Sequence, residues 1–274
     1  MDGAAAVYIK AAARDLKAYR DSKGYRKIPV GYSAADIAEL RPMLQNYLVC
    51  GNNASEAIDF FGLNAYEWCG DQDFKTSGYS NLQSQAMGYP VPIFFSETGC
   101  IHPRPRTFAD QSAIFGPNML GTWSGSIVYE WIEEANNYGL ISYGPKVDPT
   151  VTEHPDGFTR SGTPTPISPD YPNLKSQWAT LSPQGVKLSD YSKSVTAMKT
   201  PACPMSTASG WVINGNPSIP ALGQTYNPSA TAASSPTPTG SQATATTGSA
   251  NGGKEITGMT LGLAGVMLGF VIWL

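Results

Sequence analysis

An apolar run that ends in a single carboxylate constrains the fold more than any other part of this sequence. Residues 91–95 read Val-Pro-Ile-Phe-Phe, and Glu97 follows shortly before a Gly-Cys pair. A continuous apolar run is typical of a strand buried on both faces, as in a parallel sheet covered by helices. Catalytic groups of parallel α/β barrels lie at the carboxyl ends of the strands, which makes Glu97 a candidate catalytic residue. The alternative is a solvated acid or one paired with an arginine.

Other apolar segments have the same character and alternate with helix-like segments. Four strands are predicted, at about residues 28–32, 57–65, 91–97 and 125–131. Helical spacing of apolar residues predicts helices over residues 1–22, 36–40 (capped by Ser33) and 108–115. Strands that alternate with helices predict an α/β fold with a parallel sheet. Four strands are half of the eight that close a barrel.

The ends of the predicted strands share one chemistry. Aromatic and acidic side chains collect there: Tyr66, Glu67, Trp68, Glu97, Tyr129, Glu130 and Trp131. Sugars present flat C–H faces that aromatic rings cover, and hydroxyl groups that carboxylates bind. A large aromatic residue taken alone is more often part of a core. Recurrence at the ends of several strands favours a carbohydrate site instead.

Four motifs, in order, resemble one known family. They are KIPVGYSAAD at 27–36, FGLNAYEWCG at 61–70, FFSETGC at 94–100 and IVYEW at 127–131. Through them the sequence resembles glycoside hydrolase family 72, the fungal β-1,3-glucanosyltransferases, which are glycolipid-anchored surface proteins. The resemblance extends from about Ala11 to Cys203. It implies a (β/α)8 TIM barrel of which this chain carries about the second half, strands five to eight.

The resemblance also implies roles for individual residues. Glu97 matches the family's nucleophile, and Tyr66 and Tyr129 match tyrosines that contact glucan near the cleavage point. The implied activity is retaining transfer, without a cofactor, that cleaves a β-1,3-glucan donor and elongates a β-1,3-glucan acceptor. The alternative is a catalytically inactive protein of the cell wall, either glucan-binding or structural.

Retaining chemistry needs a second carboxyl group, about 5–5.5 Å from the nucleophile. The family's acid/base glutamate lies in an Asn-Glu pair, and no such motif occurs before Lys27.

Residues 1–10 also lack the apolar run of a signal peptide. We therefore expect a fragment or truncated gene model of a longer enzyme rather than a degenerate paralogue, because the Glu97 motif is intact. As given, the chain is expected to be inactive on laminari-oligosaccharides.

Charge and cysteine content fit an extracellular setting. Lys and Arg total 18 against 21 Asp and Glu, so nucleic acid, which calls for basic patches, is not an expected partner. Two histidines and four cysteines without metal-ligand spacing predict no metal site. Four cysteines in a secreted chain indicate two disulfides, and the sequence alone allows three pairings. The family resemblance implies Cys69–Cys100 and Cys50–Cys203, and Asn53 begins a glycosylation sequon.

The remainder of the chain changes composition twice. Prolines from 143 to 201 predict a long loop with one short helix at 190–198. We divide the chain into a partial catalytic barrel (1–203), a disordered Ser/Thr/Pro-rich linker or stalk (204–253) and a hydrophobic segment (254–274). Small residues before an apolar tail indicate a GPI-attachment signal, with Asn251 or Ser249 as the attachment residue. The expected location is the plasma membrane at the cell surface and the cell wall, and a membrane-spanning tail anchor is the alternative.

Overall fold

The computed structural model describes residues 3–148, 150, 152–187, 189–191 and 198–225. Its centre is a four-stranded parallel sheet, in chain order: β1 (Tyr32–Ala35), β2 (Phe61–Asn64), β3 (Ile93–Thr98) and β4 (Trp123–Val128). The helices up to β4 are α1 (Ala6–Ser22), α2 (Arg41–Val49), α3 (Tyr79–Ala86) and α4 (Asp110–Ile114). After β4 come a short antiparallel pair, β5 (Ile141–Ser142) and β6 (Thr165–Pro166), and then α5 (Asp170–Thr180). Strands that alternate with helices form part of an α/β barrel, as predicted.

One face of the sheet is buried in an aromatic core. Phe61, Ile93 and Trp123 stand side by side across β2, β3 and β4, and all three side chains are buried. The ring of Phe95 stacks on Trp123 with centroids 4.0 Å apart and on Tyr79 of α3 at 5.1 Å. Large aromatic side chains contribute much of a core's buried apolar area. This layer fixes β3, the strand that carries Glu97, between its neighbours.

The first strand starts later than predicted. Pro29 has no N–H to donate, and the N–H of Val30 donates to Asp59 Oδ2 at 2.8 Å instead of to a neighbouring strand. The carbonyl of Val30 accepts from the Asp59 N–H at 2.7 Å, but regular pairing with β2 begins at Tyr32, opposite Phe61. Ser33 lies inside β1, so its predicted role as a helix cap is wrong. The helix predicted over residues 36–40 is not formed there, and the helix of this region is α2, which begins at Arg41.

A β-bulge interrupts the pairing of β2 with β3 just before Glu97. Leu63 pairs with Phe95, but the next residue, Asn64, pairs with Glu97, so Ser96 is an extra residue in β3. Burial alternates along β3 as far as Phe95, and two half-buried side chains then follow in succession. Bulges are a common means of redirecting a side chain at an active site. Here the bulge keeps the Glu97 carboxylate away from the buried face.

The segment from 143 to 201 is not a single long loop, because it contains α5. Pro169 is the N-cap residue of α5, and Pro172 lies in its first turn. Backbone N–H groups of a first turn have no partner within the helix, so proline costs little there. The short helix predicted at 190–198 lies largely outside the described residues.

Residues 198–225 pack back against the helices of the domain. Trp211 is fully buried, and its ring meets that of Tyr47 in α2 edge to face at 5.6 Å. The Cys50–Cys203 disulfide joins this returning segment to the end of α2. Packing therefore continues beyond residue 203, where the sequence suggested the end of the domain.

The predicted features of the C-terminus lie outside the described residues. They are the stalk beyond residue 225, the two candidate attachment residues Ser249 and Asn251, and the hydrophobic segment 254–274. Within the ranges that the structure does describe, no helix has the length and apolar character needed to span a membrane.

Candidate active site

Glu97 and Tyr66 lie at the carboxyl ends of adjacent strands and share a hydrogen bond. The N–H of Ala65 donates to the Glu97 carbonyl at 2.9 Å, which holds the chain leaving β2 against β3. Tyr66 Oη donates to Glu97 Oε2 at 2.6 Å, the short distance typical of a bond to an ionised acceptor. Burial raises the pKa of Tyr66 far above the ordinary tyrosine value, and the bond to Glu97 raises it further. The phenol therefore stays protonated and acts as a donor to the carboxylate.

Three tyrosines, Tyr66, Tyr129 and Tyr138, form a compact group beside Glu97, which we call the tyrosine cluster. The ring centroids of Tyr66 lie 6.5 Å from Tyr129 and 5.6 Å from Tyr138, and those of Tyr129 and Tyr138 are 5.4 Å apart. All three pairs meet edge to face, a favourable arrangement at these distances. Tyr129 follows β4 directly, and its N–H donates to the carbonyl of Thr98 at 2.9 Å. The cluster thus spans the ends of β2, β3 and β4.

Sequence reasoning identified Tyr66 and Tyr129 but missed Tyr138. Tyr138 lies in an Asn-Asn-Tyr-Gly run, which is a turn signal close behind a predicted strand end. Asn136 connects the two tyrosines of this loop, because its Oδ1 accepts from the Tyr138 N–H at 3.1 Å and its Nδ2 donates to Tyr129 Oη at 3.3 Å. Burial, together with the nearby charge of Glu130, raises the pKa of Tyr129 to about 12.

The remaining aromatic residues of the strand ends do not join this cluster. The ring of Trp68 packs on Tyr79 at 5.1 Å as part of the core. Trp131 is largely exposed, and its ring contacts that of Tyr171 with centroids 6.5 Å apart. The expectation of one aromatic and acidic collection is therefore correct for Tyr66, Tyr129 and Glu97 and wrong for the two tryptophans.

A disulfide braces the Glu97–Tyr66 pair. Cys69 and Cys100 are bonded, with their Cα atoms 5.3 Å apart, and each lies three residues after one member of the pair. The bond therefore links the loops that follow β2 and β3. With Cys50–Cys203 it completes the two pairings that the family resemblance implies.

Two further expectations concern metal binding and glycosylation. In the part of the chain that the structure describes, no three His, Cys, Asp or Glu side chains form a group able to hold a metal ion. Asn53 lies on an exposed turn after α2, where its Oδ1 accepts from the Ser55 hydroxyl at 2.8 Å. Its glycosylation stays a prediction.

The fold and the site define a class. A parallel α/β barrel sheet carries a carboxylate at a strand end, and that carboxylate is held by a tyrosine within an aromatic cluster. Comparison with known proteins gives the family: the glucanosyltransferase model of glycoside hydrolase family 72 matches residues 1–156. The chain belongs to this family.

Curated relatives and solved structures agree with this assignment. The chain is 39% identical over 217 residues to 1,3-beta-glucanosyltransferase gas2 of Schizosaccharomyces pombe, a match that covers 77% of this chain and 43% of the relative. It is also 39% identical to 1,3-beta-glucanosyltransferase GAS2 of Saccharomyces cerevisiae, over 77% of this chain and 35% of the relative. The structure of Saccharomyces cerevisiae Gas2p in complex with laminaritriose and laminaritetraose matches with a TM-score of 0.63 at 38% identity, over 77% of this chain and 43% of that one. The chain therefore spans less than half the length of these relatives.

Proposed function

We propose that this chain carries the nucleophile side of a retaining β-1,3-glucan glucanosyltransferase site, with Glu97 as the nucleophile. The observation that carries the proposal is the 2.6 Å hydrogen bond from Tyr66 to Glu97 at the carboxyl end of the sheet. Membership of the glucanosyltransferase family supports it. So does the related yeast protein whose structure contains laminaritriose and laminaritetraose, which are β-1,3-linked glucose oligomers.

The proposed chemistry has two steps. A Glu97 oxygen attacks the anomeric carbon of the donor, the bond to the leaving glucan oxygen breaks, and a glycosyl ester forms. A 3-hydroxyl of the acceptor then attacks the same carbon, the new glycosidic bond forms, and the Glu97 carboxylate is released. A general acid protonates the leaving oxygen and later removes the acceptor's proton. Tyr66 donates to one Glu97 oxygen, which orients the carboxylate and leaves attack to the other oxygen.

The tyrosine cluster supplies the binding surface in this proposal. Aromatic rings cover the apolar faces of glucose units, and the phenol groups reach their hydroxyls. Tyr66 and Tyr129 are the proposed glucan-binding residues from the sequence, and Tyr138 joins them because its ring contacts both. A closely bound acceptor is what allows transfer to another glucan to compete with transfer to water.

A fluorinated donor tests the nucleophile directly. The full chain is incubated with 2-deoxy-2-fluoro-β-laminaribiosyl fluoride, whose fluoride leaves without a general acid, and its intact mass is measured. The expected result is a gain of one fluorinated disaccharide, mapped by peptide sequencing to Glu97. Binding of laminaripentaose without any adduct would contradict the transferase proposal and leave the glucan-binding alternative. An adduct on another carboxylate would contradict the role of Glu97.

Tyr66→Phe tests the hydrogen bond at the centre of the site. This change keeps the ring and removes the donor, so the cluster stays packed while the Glu97 carboxylate loses its orientation. We expect the rate of adduct formation to fall about 100-fold, the lower end of the loss that follows removal of one preorganised donor. Tyr25→Phe, at an exposed tyrosine distant in sequence from the site, is the control and should label at the wild-type rate. A Tyr66→Phe rate within twofold of wild type would exclude this role.

We also propose that the mature protein is held at the fungal cell surface by a GPI anchor. The support is a small-residue cluster at 249–253, the Ser/Thr/Pro-rich stalk before it and an uncharged segment from Ile256 to Leu274. A phosphatidylinositol-specific phospholipase is expected to release most of the protein from fungal membranes, after removal of any lipid modification that blocks it. A peptide ending in Leu274, found by mass spectrometry in the surface protein, would contradict the anchor and favour a membrane span.

A further inference from the structure

Arg106 occupies a buried junction between α5 and the loops that follow β3 and β4. Its side chain is only 2% exposed. Its Nε donates to Asp170 Oδ2 at 2.7 Å, and its backbone N–H donates to Asp170 Oδ1 at 3.2 Å. Asp170, in the first turn of α5, is also buried. Two buried charges are tolerated together only when each is paired and hydrogen-bonded, so this pair has one well-defined arrangement.

The other two nitrogens of the Arg106 guanidinium donate hydrogen bonds to the 129–139 loop, which carries two members of the tyrosine cluster. Nη1 donates to the carbonyl of Tyr129 at 3.0 Å, and Nη2 donates to the carbonyl of Gly139 at 3.2 Å. Gly139 directly follows Tyr138 in the sequence. One rigid planar group therefore bonds both ends of the 129–139 loop.

The same loop is folded tightly on itself by internal hydrogen bonds. The N–H of Glu130 donates to the carbonyl of Tyr138 at 3.1 Å, and the N–H of Leu140 donates to the carbonyl of Glu130 at 3.0 Å. A side chain at Gly139 would collide with the backbone of Glu133. With its internal shape fixed in this way, the loop is placed against β3 by the Tyr129 N–H bond to Thr98 and against α5 by two arginines that both bond Asp170. Arg104 reaches only the Asn137 carbonyl at the exposed tip of the loop, whereas Arg106 bonds the carbonyls at both of its ends.

We propose that Arg106, held by Asp170, is a positioning residue that sets where Tyr129 and Tyr138 stand relative to Tyr66 and Glu97. The inference rests on the proposed function, because the benefit of that placement is binding of β-1,3-glucan. Only a planar guanidinium reaches the Asp170 carboxylate and two separate carbonyls in one plane. A lysine ammonium has the charge but lacks this fork, so it cannot replace all three bonds.

The test compares the full-length variants Arg106→Lys and Arg160→Lys with the wild type. Arg160 is a matched control. Like Arg106, which lies over the ring of Phe108, it lies over a phenylalanine ring and pairs with an aspartate, Asp156, at 2.6 Å. Unlike Arg106, it has no hydrogen bond to the loop that carries Tyr129 and Tyr138. Two quantities are measured: nuclear Overhauser effects between the tyrosine rings in 13C-tyrosine-labelled protein, and the Kd of laminaripentaose by calorimetry. The ring-to-ring signals report the geometry of the cluster without any assumption about activity.

For Arg106→Lys we expect loss of the Tyr129–Tyr66 and Tyr138–Tyr66 ring signals and a Kd weaker on the order of tenfold, since small misplacements of binding groups are costly. Arg160→Lys should match the wild type in both. A folded Arg106→Lys protein with wild-type ring signals and affinity would overturn the proposal. If Arg106→Lys does not fold, the same two measurements on Asp170→Asn decide, with the same criteria. If the wild type did not bind laminaripentaose, the proposed function would be contradicted. The positioning role of Arg106 would still be tested, because the ring-to-ring signals do not depend on glucan binding.

Discussion

Glu97→Gln is expected to lower the rate of adduct formation with the fluorinated donor by at least about a thousandfold. An amide is a poor nucleophile, and it has no negative charge to stabilise the oxocarbenium-like transition state. The side chain keeps its size and can still accept the hydrogen bond from Tyr66, so the structure around it should persist. The measurement is the time course of intact mass at a fixed donor concentration, with laminaripentaose affinity measured in parallel.

Glu67→Gln is the control for this variant. Glu67 also follows a strand end and directly adjoins Tyr66 in the sequence, but its carboxylate is not the acceptor of the Tyr66 phenol. We expect Glu67→Gln to label within a few-fold of the wild type. If Glu97→Gln labelled at a rate within tenfold of wild type, Glu97 would not be the nucleophile, whatever the affinity for laminaripentaose.

Trp211→Ala is expected to have the largest effect on stability, a loss of about 3–5 kcal/mol in the free energy of unfolding. The indole is fully buried against Tyr47, so its removal would leave a cavity and lose the ring contact. Domains of this kind have only about 5–15 kcal/mol in total, so the variant should be close to unfolding. Urea denaturation followed by far-ultraviolet circular dichroism measures the change without depending on tryptophan emission.

Trp178→Ala is the comparison for Trp211→Ala, because its indole is half exposed on α5. A smaller loss, about 1–2 kcal/mol, is expected there, since the indole buries little area and loses one hydrogen bond, from its Nε1 to Gln111 Oε1 at 3.1 Å. Equal losses for the two variants would show that residues 198–225 do not contribute to the stability of the domain in the way their packing indicates.

The sequence predicted the elements whose residues have a simple periodic pattern. The apolar run before Glu97 identified β3, and the alanine-rich start identified α1. It missed α3, because Tyr79–Ala86 is mostly polar and has few apolar positions to reveal a period. It missed α5 because prolines ordinarily break a helix, whereas the first turn of a helix accepts them. In both cases tertiary packing stabilises a helix that local preference does not indicate.

The same division holds for the site. Glu97, Tyr66 and Tyr129 could be predicted because each comes at or just after the end of a strand, and strand ends of a parallel sheet meet at one edge. Tyr138 and Arg106 reach the same place through loops. Their positions depend on hydrogen bonds between residues distant in sequence, such as Arg106 with Asp170 and the Gly139 carbonyl. No spacing rule for a single segment contains that information.

The extra residue in β3 decides which face of the sheet carries the side chain of Glu97. Side chains of a regular strand alternate between its two faces, so unbroken alternation from the buried Phe95 would place Ser96 on the site face and Glu97 in the aromatic core. An unpaired carboxylate is not tolerated there. A family member could therefore keep the glutamate and all three tyrosines, pair this strand with β2 without the bulge, and have no usable site. The register of β3 against β2 before the glutamate is as informative about activity in this family as the identity of the glutamate itself.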